Sequence, residues 1–149
     1  MLVRTVEYRQ RIDVPLELVW TTVADFGSLL RWLPGNEDGT LTLNGEGIGM
    51  TRDLNLPTVG EVQHRLDALD PERHLLTYTL TRGRPLGMAA YSVTLSLASD
   101  HEQCNLHWQG EFDPEGGADA DAMAKNLAGA YQNMSEGLES LLGNWRDQS

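Results

Sequence analysis

The chain has 149 residues, a formal net charge of −11 and a hydrophobic content of 40%. This length and composition predict one globular domain over residues 1–149, with a substantial core, and exclude a disordered chain. So acidic a surface repels phosphate groups, which argues against nucleic-acid and membrane-surface roles, and no window offers the roughly 20 apolar residues of a membrane helix.

The N-terminal stretch MLVRTVEYRQRIDV lacks the apolar core of a signal peptide, so we expect a cytoplasmic protein. The single cysteine, Cys104, cannot form an intrachain disulfide and fits a reducing compartment. We expect a monomer or a homodimer without stable membrane insertion.

The first elements are a strand and two short helices. Residues 2–13 alternate in character, which predicts a strand, and Pro15 fits the first turn of a helix. A second short helix is predicted over residues 27–32, and it stops because the residue before Pro34 avoids helical dihedrals. The apolar residues at helical spacing in the first helix are Leu16, Val19, Trp20 and Val23.

Residues 40–112 have strand character throughout. Six apolar stretches are separated by short turns rich in glycine, proline, asparagine and aspartate, the last turn of this kind before the final strand being Ser99-Asp100. Connections this short favour a continuous antiparallel meander.

The last element is a long amphipathic helix, predicted from Asp119 to Trp145, with Asp119 as its N-cap. One strand, two short helices, six strands and a long helix make an α+β domain, and the economical packing is a curved antiparallel sheet wrapped around the C-terminal helix. The apolar stripe of that helix consists of Met123, Leu127, Tyr131, Met134, Leu138, Leu141, Leu142 and Trp145.

This order resembles the helix-grip fold of the START-like and birch-pollen-allergen-like superfamily (SRPBCC). The stretches VPLELVWTTVADFGSLLRW, GIGMTRDL, HRLDALDPERHLLTY and WQGEFDP are similar to bacterial members of its polyketide cyclase/dehydrase group. The stretches TRD, RLDALD and PEG resemble, more distantly, the plant abscisic-acid receptors. Both resemblances imply a hydrophobic cavity between the sheet and the long helix.

The glycine-rich stretch GEGIGMTRD, residues 45–53, has the composition of a phosphate-binding loop. Such a loop leads from a strand into a helix, whereas this one falls between two strands and has no P-loop lysine after it. We therefore interpret it as a hairpin with bulges that shapes the rim of the pocket.

Strand alternation places four polar side chains, Arg52, His64, Tyr78 and Tyr91, on the inner wall. The other predicted inward positions are Leu54, Leu56, Val62, Leu66, Leu76, Leu80, Val93, Leu95, Leu106, Trp108 and Phe112. Arg52 requires a partner in an apolar space, either an acid or enol of the ligand or an Asp or Glu at the rim. Tyr78, Tyr91 and Trp108 are ligand contacts or core, and His64 is a ligand contact or a hydrogen-bonded core histidine. Trp32 lies at the mouth or anchors the packing. The candidate ligand-binding residues are Trp32, Arg52, Leu54, His64, Tyr78, Tyr91, Trp108, Met123, Leu127, Tyr131 and Met134.

A metal site is not expected. His101, Cys104 and His107 have a zinc-like spacing, but on a strand Cys104 points away from His107, and there is no fourth ligand. Nor does the sequence contain a nucleophile elbow or an HExxH motif, so we predict no cofactor.

The resemblance to the hormone receptors has clear departures. The movable gate loop of the abscisic-acid receptors is reduced here to the turn LPTVG. Their carboxylate-binding lysine has no counterpart over residues 36–44, and His64 stands where they have an acidic residue. A receptor with a phosphatase partner is therefore not expected.

Three functions remain. The first is a carrier or sensor of a hydrophobic, lipid-like or polyketide-like molecule. The second is a metal-free polyketide cyclase, aromatase or dehydratase acting on a keto substrate, in which Arg52 and Tyr78 stabilise an oxyanion and His64 transfers a proton. The third is a chaperone-like or partner-binding module.

Overall fold

The computed structural model describes residues 4–85, 88–114 and 119–148. The elements are β1 (Arg4–Ile12), α1 (Leu16–Ala24), a 3₁₀ helix (Leu29–Trp32), β2 (Thr40–Asn44), β3 (Thr51–Leu56), β4 (Gly60–Asp70), β5 (Leu75–Arg82), β6 (Ala90–Asp100), β7 (Gln103–Asp113), α2 (Ala120–Leu142) and a 3₁₀ helix (Trp145–Gln148).

The seven strands form one sheet in the order β1-β7-β6-β5-β4-β3-β2, and every neighbouring pair is antiparallel. The meander predicted for residues 40–112 is confirmed, because β2 to β7 pair in sequence order. The first strand then joins the sheet beside the last one, so β1 and β2 form the two edges.

The strands alternate between buried and exposed residues, and their buried side chains face α2. Helix α2 contributes Tyr131 and Leu138, both fully buried, to the same core. This is the helix-grip arrangement of a curved antiparallel sheet around a long C-terminal helix. The predicted inward positions are all buried: Arg52, Leu54, Leu56, Val62, His64, Leu66, Leu76, Tyr78, Leu80, Tyr91, Val93, Leu95, Leu106, Trp108 and Phe112.

The second short helix is smaller than predicted. The expected helix over residues 27–32 is a single 3₁₀ turn over Leu29–Trp32. The hydroxyl of Ser28 donates to the carbonyl of Thr22 at 2.6 Å and accepts from Nε1 of Trp32 at 3.0 Å. The first of these bonds ties the start of the 3₁₀ turn to the last turn of α1.

Helix α2 begins as predicted and ends earlier. Oδ1 of Asp119 accepts hydrogen bonds from the backbone N–H groups of Asp121 (3.0 Å) and Ala122 (3.1 Å), which confirms the N-cap. The helix stops at Leu142 rather than at Trp145, whose indole N–H donates to the carbonyl of Asp13 at 3.0 Å.

Some sequence features lie outside the described residues. They are the beginning of the predicted first strand, part of the stretch RGRPLGM (residues 82–88), and the last two residues of the PEG stretch before α2.

Candidate functional site

A cavity of about 310 Å³ lies between the sheet and α2. This is the low end of the range of about 300–1,000 Å³ that small-molecule sites occupy. Leu56, Val62, Met88, Leu127 and Met134 make much of its wall apolar. Its ionisable side chains are His64, Tyr78 and Tyr91.

The mouth of the cavity is held by hydrogen bonds between loops. Oδ1 of Asn36 accepts from the backbone N–H (3.3 Å) and the hydroxyl (2.8 Å) of Thr58, in the β3–β4 turn. Nδ2 of Asn133, on α2, donates to the carbonyl of Pro34 at 3.1 Å. These hydrogen bonds connect three segments that are distant in the sequence: the loop after the first 3₁₀ helix, the β3–β4 turn and α2.

Arg52 lies directly behind this wall. Its guanidinium is 3.9 Å from the ring centroid of Phe26 and 4.7 Å from that of Tyr78, both within cation–π distance. Nη1 donates to the carbonyl of Phe26 at 3.2 Å, and Nε donates to Nδ1 of His64 at 3.1 Å. The side chain is 2% exposed and does not line the cavity, which corrects the expectation that Arg52 itself contacts the ligand.

The charge of Arg52 has no carboxylate partner among the described residues, since none lies within 4.0 Å of it. The expected alternative of an Asp or Glu at the rim therefore does not hold for this part of the chain. Burial lowers the pKa of the Arg52 guanidinium to about 10, and the neighbouring Tyr78 opposes this shift. Arg52 remains charged at neutral pH.

His64 occupies the position of β4 that pairs with Arg52 on β3. The pairing of β4 with β5 shifts register next to His64 and again between Leu66 and Ala68. Such shifts bend a strand and re-aim its side chains. The ring of His64 lies 4.7 Å from that of Tyr78, and burial, followed by the charge of Arg52, holds the pKa of His64 well below its usual value.

The hydroxyls of Tyr91 and Tyr131 form a second polar pair, 2.6 Å apart. Burial, followed by the neighbouring tyrosines, raises the pKa of Tyr91 well above its usual value, and burial also raises the pKa of Tyr78. Gly110 on β7 leaves room for the Tyr131 hydroxyl, because a Cβ atom there would overlap it. Because their pKa values are raised, Tyr78 and Tyr91 are neutral at physiological pH.

The structure divides the candidate site residues into two sets. Those that line the cavity are His64, Tyr78, Tyr91, Leu127 and Met134. Those that are buried outside its lining are Trp32, Arg52, Leu54, Trp108, Met123 and Tyr131.

The two tryptophans belong to the packing. Trp108 stacks on Tyr131 at 5.0 Å between ring centroids, and its Nε1 donates to Oγ of Ser135 at 2.9 Å. Trp32 is 5% exposed, and its Nε1 donates to Oγ of Ser28. Of the two alternatives for Trp32, the structure therefore has the packing anchor and not the residue at the mouth. The expectation that Trp108 faces the cavity is corrected accordingly.

Sequence reasoning missed most of the mouth. Strand and helix periodicity identifies inner faces, whereas these residues come from loops, turns and one helix flank. Asn36 and Pro34 had one available signal, their place in the proline–glycine break after the first helices. The missed lining residues are Leu29, Leu33, Pro34, Asn36, Thr58, Val59, Pro85, Met88, Ala130 and Asn133, whereas Leu56 and Val62 lie at predicted inward positions of β3 and β4.

The glycine-rich loop does not border the cavity. It connects β2 to β3, at the end of β3 opposite the Thr58 turn, and none of its residues lines the cavity. Gly45, Gly47 and Gly49 all have positive φ values (85°, 69° and 94°), which explains their identity. The loop is a hairpin, as interpreted, but its predicted place at the rim is wrong.

The described residues contain no group of three or more His, Cys, Asp or Glu side chains able to hold a metal ion. Cys104 is fully buried while His107 faces the other side of β7, and burial raises the pKa of Cys104 to about 11. Within the same residues, no helix is long and apolar enough to cross a membrane.

Residues 3–143 match the sequence model of the family described as polyketide cyclase/dehydrase and lipid transport. No curated protein sequence matches the chain.

Three solved structures illustrate the likeness of the fold. An uncharacterized protein from Bacillus thuringiensis has a TM-score of 0.81 at 20% identity, over 93% of this chain and 98% of that one. A point mutant of norcoclaurine synthase from Thalictrum flavum, in complex with a transition-state analogue, has a TM-score of 0.74 at 17% identity, over 97% of each chain. The Zhui aromatase/cyclase from Streptomyces sp. R1128 has a TM-score of 0.70 at 22% identity, over 96% of this chain and 93% of that one. Identities this low show the fold alone.

Proposed function

The chain belongs to the polyketide cyclase/dehydrase and lipid transport family, and from this premise we propose that it binds a compact hydrophobic molecule in the cavity beneath α2, as a carrier or sensor in the cytoplasm. Family and fold support hydrophobic ligand binding or polyketide cyclase activity in general. The observation that carries the narrower proposal is the composition of the cavity, with an apolar wall interrupted by His64, Tyr78 and Tyr91.

The ionisation of the wall favours binding over acid–base chemistry. A proton-transferring residue works best when its pKa lies near the operating pH. The pKa of His64 is held well below its usual value, while the pKa values of Tyr78 and Tyr91 are raised. All three side chains therefore keep one protonation state around neutrality.

Native mass spectrometry of the protein purified from its host tests the proposal. We expect one co-purifying hydrophobic molecule per chain, and saturable binding of an apolar fluorescent probe after that molecule is extracted. Ala130→Trp fills the lined space from α2 and should abolish probe binding, whereas Asn126→Trp, at an exposed position of the same helix, should not. A probe that binds both variants equally would overturn the proposal.

A cyclase, aromatase or dehydratase acting on a keto substrate is the second candidate. It is favoured by the charge of Arg52 behind Tyr78, which could stabilise a developing oxyanion. The test is turnover of a β-keto thioester by the purified protein. Loss of turnover in Tyr78→Phe with retained binding would support the enzyme, and absence of turnover by the native protein would remove it.

A further inference from the structure

We propose that Arg52 positions His64 as a fixed hydrogen-bond donor to the cavity, so that the site prefers hydrophobic ligands with an acceptor oxygen, above all a carboxylate or enolate. The ligand class in this inference rests on the proposed function. The positioning role does not, because it follows from contacts within the protein.

The direction of the bond between the two side chains fixes the tautomer of His64. A guanidinium group has only donors, so the 3.1 Å contact between Arg52 Nε and His64 Nδ1 makes Nδ1 the acceptor. A neutral imidazole that accepts at Nδ1 carries its proton on Nε2. His64 therefore offers an N–H donor at its free edge.

Arg52 is held in the orientation that this bond requires. The Phe26 and Tyr78 rings flank its guanidinium at 3.9 Å and 4.7 Å, and Nη1 is bonded to the Phe26 carbonyl. Arg52 and His64 also occupy directly paired positions of adjacent strands. The strand pairing and these three contacts of the guanidinium together hold Arg52 in the orientation in which Nε donates to His64.

The free edge of His64 faces open space. Among the described residues, the one fully buried side-chain nitrogen or oxygen without a hydrogen-bond partner is Nε2 of His107. Nε2 of His64 also has no hydrogen-bond partner in that part of the chain, but it is not one of the fully buried atoms. It is therefore reached from the space that His64 lines, which is the cavity. The donor is available to a ligand.

Charge adds to this donor. Behind His64 and Tyr78 lies the guanidinium of Arg52, without a carboxylate within 4.0 Å among the described residues. A negative oxygen in the cavity gains a hydrogen bond and a nearby opposite charge in a low dielectric, while an ammonium group meets repulsion. The wall consequently discriminates by the sign of the ligand's polar group.

Four probes with one ring system test the preference: naphthoate, methyl naphthyl ketone, ethylnaphthalene and naphthylmethylammonium. Titration calorimetry should give that order of affinity, with naphthoate bound about 10- to 100-fold more tightly than ethylnaphthalene, the scale of one charge-assisted contact. Arg52→Met should bring this ratio close to one while the affinity for ethylnaphthalene stays unchanged. Equal binding of naphthoate and ethylnaphthalene by the native protein would overturn the ligand class and leave the proposed function standing.

Variants of His64, the acceptor in the bond from Arg52, test the proposal independently. They also replace the first test if Arg52→Met fails to fold. His64→Leu removes the donor and should abolish the preference for naphthoate. His64→Gln should retain part of it, since a glutamine can accept from Arg52 with its oxygen and donate with its amide. A His64→Leu variant that keeps the full preference would overturn the role of His64.

Nitrogen NMR of the histidine ring gives a readout that needs no ligand. In the native protein His64 should show the proton on Nε2 alone, and in Arg52→Met the two tautomers should exchange. A native spectrum with the proton on Nδ1 would overturn the positioning role. If none of the four probes binds the folded protein, the proposed function and the ligand class both fail, and the NMR result still decides the role of Arg52.

Discussion

The hydroxyl of Tyr131 occupies the space that a side chain at position 110 would fill, and Gly110 leaves that space free. The same tyrosine stacks on Trp108 and shares a 2.6 Å hydrogen bond with Tyr91. Gly110 is therefore required by packing, although its strand position would otherwise favour a larger inward-facing residue.

Gly110→Ala should lower the free energy of unfolding by about 1–3 kcal/mol, the usual cost of overpacking a core. Urea denaturation measures the change. In the Tyr131→Phe background, where the overlapping hydroxyl is absent, the same substitution should cost clearly less. An equal cost in both backgrounds would mean that the strain lies elsewhere.

Two glycines on α2 should respond to alanine in opposite directions. A Cβ atom on Gly137 would overlap the carbonyl group of Trp32, whereas nothing lies within 4 Å of one on Gly129. Gly137→Ala should destabilise the protein by about 1–3 kcal/mol. Gly129→Ala should stabilise it by about 0.5–1 kcal/mol through helix propensity. Thermal unfolding of the pair checks both signs, and a shared sign would contradict the packing described for Gly137.

The titration of His64 should make the protein less stable in acid. Its folded-state pKa is lowered first by burial and then by Arg52, while in the unfolded chain it lies near about 6.5. Below that pH the unfolded state binds more protons, so the free energy of unfolding falls as the pH drops, by at most about 1.4 kcal/mol per pH unit from this group.

His64→Gln removes the titrating group and should flatten this part of the profile. Urea denaturation from about pH 7.5 to about pH 5.5 covers the window in which the unfolded state takes up the proton. His101→Gln is the matched control, because the His101 side chain is 95% exposed. A profile as steep in His64→Gln as in the native protein would show that other groups cause the acid sensitivity.

The cap of α2 should contribute measurably to stability. Asp119→Ala removes the acceptor for the N–H groups of Asp121 and Ala122 and should cost about 1 kcal/mol. Asp119→Asn keeps an acceptor oxygen and should cost much less. Equal losses in the two variants, measured by urea denaturation, would point to charge rather than to the hydrogen bonds.

The architecture was predictable because it depends on periodicity. Alternation in six successive stretches and one long apolar stripe indicate the order of the elements and the inner faces, and the Asp119 cap follows from the residue type before that stripe. The 3₁₀ turn at Leu29–Trp32 was harder to predict, because its hydrogen bonds to Ser28 cannot be inferred from helix propensity.

The site was predictable only in part. Periodicity places a residue on the inner face, but it does not separate side chains that fill the core, such as Trp108, from those that leave space, such as Tyr91. Arg52 illustrates the limit, because its partners come from Phe26, on the loop after α1, and from His64. The mouth depends on contacts between loops, to which no sequence period applies.

The contrast between the net charge of −11 and the enclosed cation of Arg52 has a kinetic consequence. A carboxylate ligand approaches against the overall field of the protein and meets attraction only once it is inside. Its association should be slow at low ionic strength and accelerate as salt screens the repulsion, while its dissociation, governed by contacts within the cavity, should change little. If the proposed preference for carboxylates holds, the protein would retain such a ligand by long residence rather than by fast capture.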